Sequence, residues 1–402
     1  LQTRLKILMC AYAVDNRDVG EAHLSYHWID NITKIADVTL ITMGSRLNER
    51  CGFEDHPHVR VILAKPRLRF VWTGAFDRII KPDYLEYFYR ARKIAKKLVK
   101  EEQFDALHHI APHSPRYPSP LHSLGKNILV GPIHGGLHLP EQYSGKQKGG
   151  GLRRIAKSID HFRNHYDPIM RKHFGSAAKL LISAPYVKEN LPAALADKCE
   201  VLPPQPPEVL ENPPQKPPSE KIRLIFIGRL IEAKGIHLAL QALAKTESKT
   251  QFIFDIYGTG DLETELKEFC EHNSLQSIVN FRGFTPHDKV LEALHLSDVL
   301  FFPSLKEAWG LAVSEAMAAG LCVLCVDRGG PGYMIDEKCG YKVPTGSAEE
   351  IVNALTEKLG YIAANHAEAK EKGIAASLKI QQKFTWEAII KQLKDLYSAA
   401  SI

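Results

Sequence analysis

Eight prolines crowd between positions 203 and 218. Proline has no amide hydrogen to donate and holds φ near one value. The stretch therefore reads as extended linker, neither helix nor central strand. It divides the 402 residues into two parts, each long enough to bury a core of its own.

Both parts show the same rhythm of short apolar runs alternating with amphipathic segments. In the first, strands are predicted over 6–11, 37–43, 59–64, 104–110, 127–133, 179–183 and 200–202, with helices including 22–36, 84–100 and 161–174. In the second, strands are predicted over 222–227, 252–257, 278–281, 299–302, 322–326 and 340–343. Helices fall between them over 235–244, 262–272, 287–296 and 347–359. Repeated βα units imply parallel sheets covered by helices on both faces. The expected fold class is α/β: two Rossmann-like domains facing each other across a cleft. The expected divisions are a first domain over 1–203, a linker over 204–219, a second domain over 220–383 and a terminal segment over 384–402. The helix of that last segment, about 386–399, is expected to pack back on the first domain.

Composition narrows the class. The chain is 45% hydrophobic and 24% charged, as a globular protein is. No apolar run reaches the ~18 residues of a membrane span. The sequence runs straight into a predicted first strand, and no signal peptide is expected. Seven cysteines are an odd, sparse set and point to a reducing compartment. The expectation is a cytoplasmic protein with, at most, peripheral contact at the inner face of a membrane. Cys322 and Cys325 lie in an apolar run, where core packing explains them. A net charge of +6 is a mild bias towards anionic partners. No nucleic-acid motif is present.

Residues with chemistry gather beside predicted strand ends. Glu307 follows the strand at 299–302, and Glu315 lies on the helix beginning near Trp309 and Gly310. Two carboxylates can accept hydrogen bonds from sugar hydroxyls. The N–H groups of Gly310, Leu311 and Ala312, at a helix start, can hold a phosphate. Arg229 and Lys234 follow the strand at 222–227 and can neutralise a diphosphate.

The segment Gly228-Arg229-Leu230 with Lys234-Gly235 resembles the "GR…KG" turn of retaining glycosyltransferases of family GT4, which have the GT-B fold. Gly258-Thr259-Gly260 resembles that family's G-x-G, and Phe281-Arg282-Gly283 its F-x-G beside the nucleobase. Glu307 to Glu315 matches its E-x7-E signature, and Gly329, Gly330 and Gly340 fall where it has glycines. The resemblance, in order over 222–344, implies a metal-independent enzyme that needs no cofactor. It would move a hexose or uronic acid from a nucleoside diphosphate sugar, UDP-linked in preference to GDP-linked. The acceptor would be a saccharide or lipid-linked saccharide, as in surface polysaccharide or glycolipid synthesis. In that reading Glu307 holds the donor sugar, Glu315 the ribose, and Arg229 and Lys234 the leaving group. Closure of the two domains would complete the site. The chain departs from the family at Ala308 and Trp309, where Gly and Phe are usual. This leaves the donor sugar open, with Trp309 either shaping its pocket or packing beneath it.

In the first part, Gly20 either contacts phosphate or simply starts a helix. One glycine stands where the family has a pair. His108, His109 and His113 cluster, and His134 follows the next strand. The resemblance places a histidine of the first loop, His109 or His113, against the donor sugar; His109 and His134 are the candidates. A metal site from these histidines lacks ligand spacing and nearby carboxylates. The stretch 146–172, with eight Lys or Arg against two Asp, can meet an anionic membrane or lipid acceptor. Helix 84–100 has a similar basic face. The competing readings are a sugar-nucleotide epimerase or hydrolase of the same fold, and a non-catalytic sugar-nucleotide-binding subunit of a membrane assembly.

Overall fold

The structure, a computed structural model, describes residues 4–18, 20–44, 50–65, 82–140, 143, 162, 163 and 166–399. Most of the basic stretch 146–172 lies outside them. The chain forms two compact units. One comprises Leu1–Gly136, Gln147–Pro204 and Trp386–Ile402, the other Leu137–Lys146 and Gln205–Thr385.

Among the described residues the first unit has seven parallel strands: β1 (Leu5–Ala11), β2 (Ala36–Thr42), β3 (Val59–Leu63), β4 (Ala106–Ala111), β5 (Ile128–Ile133), β6 (Lys179–Ile182) and β7 (Cys199–Val201). Their order is β3-β2-β1-β4-β5-β6-β7. Helices α1 (Glu21–Ile32), α2 (Pro82–Glu101) and α3 (Pro168–Ser176) flank the sheet. Separate apolar clusters, one containing Leu8, Tyr87 and Val130, the other Ile7, Trp28 and Leu129, make up its core. β4 and β5 are buried at every position. Burial on both faces is why parallel strands read as unbroken apolar runs rather than alternating ones.

The C-terminal helix Trp386–Ser398 completes this core with Ile389, Ile390, Leu393 and Tyr397. Trp28 stacks edge-on to Trp386 at 5.9 Å and donates to Pro204 O at 2.6 Å. His108 has both ring nitrogens occupied within the same unit. One meets Gly131 O at 2.9 Å and the other Tyr397 Oη at 2.6 Å. A carbonyl only accepts, so His108 donates from Nε2 and receives the tyrosine hydroxyl at Nδ1. Burial pushes this histidine down to about 4. His108 is a structural clasp.

Among the described residues the second unit has six parallel strands: β8 (Ile222–Ile227), β9 (Phe252–Tyr257), β10 (Val279–Gly283), β11 (Val299–Phe302), β12 (Cys322–Val326) and β13 (Gly340–Val343). Their order is β10-β9-β8-β11-β12-β13. Its helices are α4 (Ile236–Lys245), α5 (Glu263–His272), α6 (His287–His295), α7 (Leu311–Ala318), α8 (Gly329–Met334), α9 (Ala348–Ala364) and α10 (His366–Lys383). Cys322 and Cys325 are free thiols wholly buried in β12, and burial pushes Cys322 up to about 12.

Helix α10 occupies a stretch for which the sequence pattern yields no element. Its buried positions are Ala369, Gly373, Ala376 and Ile380. A stripe of small residues is a faint hydrophobic signal, yet it lets the helix lie close to β12. A Cβ on Gly373 would stand 2.1 Å from Gly320 O.

Candidate functional site

In the second unit the strand order reverses between β8 and β11. A doubly wound sheet opens a crevice outside the C-terminal ends of the strands at such a point. The loop after β8 carries Gly228, Arg229 and Lys234; the loop after β11 carries Glu307. The fold brings two of these together: Lys234 Nζ donates to Glu307 Oε2. Both side chains are half-buried, and the ammonium also lies 5.8 Å from the Phe302 ring. Arg229 is exposed and has no ion-pair partner among the described residues.

The surrounding backbone holds this pair. Lys234 closes a short 3₁₀ turn, Glu232–Lys234, that ends on Gly235 at φ 69°. A Cβ there would sit 1.9 Å from Pro303 O, so the turn can lie against the β11 loop only with glycine. Leu305 N donates to Ala233 O at 3.0 Å, joining the two loops. On the other flank Gly330 N donates to Glu307 O at 3.1 Å and Arg328 Nε to Leu305 O at 3.0 Å. Glu307 is thus fixed by two neighbouring loops, the kind of support a binding side chain needs.

Gly258 and Gly260 serve close packing. A Cβ on Gly258 would stand 2.0 Å from Gly228 O, and one on Gly260 2.5 Å from Leu230 O. Their segment is stitched to its neighbours by Gly228 N to Tyr257 O at 3.0 Å, Leu230 N to Thr259 O at 2.9 Å and Gly258 N to Gly283 O at 2.8 Å. Gly283 itself has φ 66°, and open space surrounds its missing Cβ. Arg282 does not stand free: its guanidinium pairs with Asp255 at 2.8 Å, and Asn280 shares that carboxylate. Phe284, next in the chain, is 84% exposed.

Helix α7 begins after Gly310, which caps it at φ 90°. Leu311 and Ala312 fall in its first turn, where a helix offers its own N–H groups no acceptor. Trp309 is buried against Phe384, 5.6 Å between ring centroids, and its indole Nε1 has no hydrogen-bond partner among the described residues. Glu315 is 4% exposed. Burial holds its carboxyl above the ordinary carboxylate range, an effect that His287, 2.9 Å away, opposes. His287 and its second contact, Glu208, are residues the sequence reading missed. They are remote in sequence from Glu315 and belong to no short motif.

In the first unit the order reverses between β1 and β4. Gly20, at φ 72°, stands at the N-cap of α1 with open space around its missing Cβ. The His113 and His134 rings lie 4.9 Å apart, and His134 N donates to His113 O at 2.9 Å. Burial lowers the basicity of His134, and Glu21 opposes that. His109 is sealed inside β4, its ring 6.5 Å from that of His173. Burial holds it neutral, and its ring nitrogens have no hydrogen-bond partner among the described residues. His113, and not His109, is therefore the ring beside His134. Among the described residues no group of three His, Cys, Asp or Glu side chains could hold a metal ion. No described helix is long and apolar enough to cross a membrane.

Comparison with known proteins meets this geometry in the second unit. The family model "Glycosyl transferases group 1" matches residues 210–360. That segment is a glycosyl transferases group 1 domain. It contains the Lys234–Glu307 pair and Glu315. The putative colanic acid biosynthesis glycosyltransferase WcaL of Salmonella typhimurium is 29% identical over 189 residues, which is 45% of this chain and 46% of that protein. The chain thus matches about half the length of this curated relative. Two solved structures extend the likeness in fold beyond the group 1 domain. A glycosyltransferase from Rickettsia africae superposes with TM-score 0.63 at 17% identity, covering 99% of both chains. HepE from Anabaena, solved with UDP and glucose, gives TM-score 0.56 at 15% identity over 98% of this chain and all of that one. The fold is GT-B.

Proposed function

We propose that this chain is a retaining, metal-independent glycosyltransferase of the GT4 type. It transfers a hexosyl or uronosyl group from a UDP-sugar to a saccharide or lipid-linked saccharide in surface polysaccharide synthesis. The observation that carries this reading is the Lys234–Glu307 pair, held at the switch point of a group 1 domain. The naming of WcaL and the UDP bound to HepE support the pathway and the base.

The chemistry follows from the charges. As the bond from the sugar's anomeric carbon to the diphosphate breaks, negative charge grows on the leaving oxygen. Lys234 and the exposed Arg229 supply cations for it, and the first-turn amides of α7 add dipoles of the same sign. Glu307 then gives up its ammonium partner and accepts hydrogen bonds from donor-sugar hydroxyls. The acceptor hydroxyl attacks on the face the diphosphate leaves, and its proton passes to the departing phosphate oxygen. No protein acid or base is required. Glu315 holds the ribose. His134 with its neighbour His113 orients the sugar, and the buried, neutral His109 supports them from within β4.

A lipid-linked acceptor calls for contact with a membrane. Helix α2 turns outward a stripe made of Leu85, Tyr89, Lys93, Lys96, Lys97 and Lys100, all exposed. The spacing puts them on one face, apolar at one end and basic along the rest. Anionic headgroups suit such a face.

The test is calorimetric titration with UDP and GDP, followed by transfer assays using Glu307→Ala. UDP binding should persist in the variant while transfer falls by about 100-fold, as when a group that positions the reacting sugar is removed. Transfer at the wild-type rate would sink the assignment. UDP-sugar hydrolysis or epimerisation without transfer would redefine the reaction, and binding without turnover would make the chain a non-catalytic subunit.

A further inference from the structure

Glu315 does not stand alone in the wall of the second unit. His287, the first residue of α6, directs Nε2 to Glu315 Oε1 at 2.9 Å and Nδ1 to Glu208 Oε2 at 3.3 Å. The three residues come from separate parts of the unit. Glu208 follows Pro206-Pro207 in the proline-rich segment, His287 opens α6, and Glu315 lies on α7. Their exposures are graded: the Glu208 side chain is 60% exposed, that of His287 46% and that of Glu315 4%.

A ring nitrogen facing a carboxylate oxygen must carry a hydrogen, or two lone pairs oppose each other. With both carboxyls ionised, the ring donates to each from the nitrogen that faces it. A ring held between an exposed and a buried carboxyl fixes the orientation of the buried one. Among the described residues no other hydrogen bond reaches the Glu315 side chain, so the bond to Oε1 leaves Oε2 for a ligand. Burial works against the charged form of Glu315, the His287 charge and hydrogen bond work for it, and Glu208 works against it. Asp288 follows His287 on its own helix.

We propose that His287, steadied by Glu208, is a positioning residue that orients Glu315 for the ribose hydroxyls of the bound nucleotide. The inference rests on Glu315 being the ribose carboxylate. It gives the proline-rich segment a part in nucleotide recognition, because the outer end of the relay, Glu208, lies there.

The experiment measures dissociation constants for UDP, 2′-deoxy-UDP and 3′-deoxy-UDP between pH 5.5 and 8.5. The proteins are wild type, His287→Ala, His287→Gln and Glu208→Gln. Wild type is expected to prefer UDP to the deoxy analogues by tenfold or more. His287→Ala should lose most of that preference, with analogue binding little changed. Without His287 to oppose the effect of burial on Glu315, its UDP binding should also fail at a higher pH on acidification. His287→Gln, which keeps one donor to Oε1, should recover part of the preference, and Glu208→Gln should give an intermediate value. Wild type indifferent to the ribose hydroxyls would overturn the ribose role of Glu315 and this inference with it. Wild-type preference retained in both His287 variants, with unchanged pH profiles, would overturn the positioning role alone. Loss of the preference in His287→Ala with no recovery in a folded His287→Gln would overturn it as well.

Discussion

Lys234 and Glu307 neutralise one another, and in the proposed reaction the donor separates them. The two residues therefore act as a unit, and their substitutions should not add. Lys234→Ala should weaken UDP binding about tenfold through loss of a phosphate partner, roughly 1.4 kcal/mol. In the double variant with Glu307→Ala the loss should be smaller, because no carboxylate remains uncompensated beside the phosphates. Strictly additive binding energies would mean that the pair plays no part in donor binding. Glu315 makes a second case. Burial raises its folded pKa above the unfolded value, so its charged form costs stability once the pH exceeds that unfolded value. Glu315→Gln should then match or exceed wild type in thermal stability at pH 8 and lose that advantage towards pH 4, while binding UDP more weakly. A large drop in melting temperature at pH 8 would contradict this. Lys234, Glu307 and Glu315 were each legible in the sequence because each lies in a short pattern beside a strand end. Their partnerships were not. Lys234 and Glu307 are 73 residues apart, and only the strand order brings them together.

Among the elements, strands such as β8 and β12 announced themselves as apolar runs, because both faces of a parallel sheet are buried. Helix α10 gave no such sign, since three of its four buried positions are alanine or glycine. That difference makes a paired prediction possible. Gly360, inside α9, has nothing within 4 Å of its missing Cβ. Alanine there should stabilise by about 0.5–1 kcal/mol, the usual helical gain over glycine. Gly373→Ala in α10 meets Gly320 O at 2.1 Å and Cys322 N at 3.0 Å. It should lower the melting temperature despite the same gain in propensity, because backbone at the head of β12 must move. Two changes of the same sign in thermal unfolding would refute the close packing of α10. For α2, glutamate at Lys93, Lys96, Lys97 and Lys100 together should abolish binding to phosphatidylglycerol vesicles without altering UDP affinity. Unchanged sedimentation with vesicles would remove α2 as the membrane contact.

At the scale of the molecule the first unit carries an acid-sensitive core. His108 is held down at about 4 and His173 at about 3 by burial. A free histidine titrates near 6.5, so the unfolded chain takes up protons that the folded unit refuses. These groups cost nothing above pH 6.5. Below it, each removes stability at roughly 1.4 kcal/mol per pH unit until its own folded pKa is reached. Hydrogen exchange should therefore show the first unit opening between pH 6 and 4.5, and equal protection at pH 7 and 4.5 would contradict this. Buried histidines on strands were readable as a cluster, but not as structural clasps, since His108 meets Tyr397 only across 289 residues of chain. That clasp bears on biosynthesis. A nascent chain that has just passed Pro204 holds every strand of its first sheet, yet lacks the helix that covers Trp28 and occupies His108. At about 5–20 residues per second, the ribosome needs roughly 10–40 s more to supply it. Through that interval the apolar ground beside Trp28 that Ile389, Ile390, Leu393 and Tyr397 will cover is bare, and it is there that a chaperone would have to stand guard.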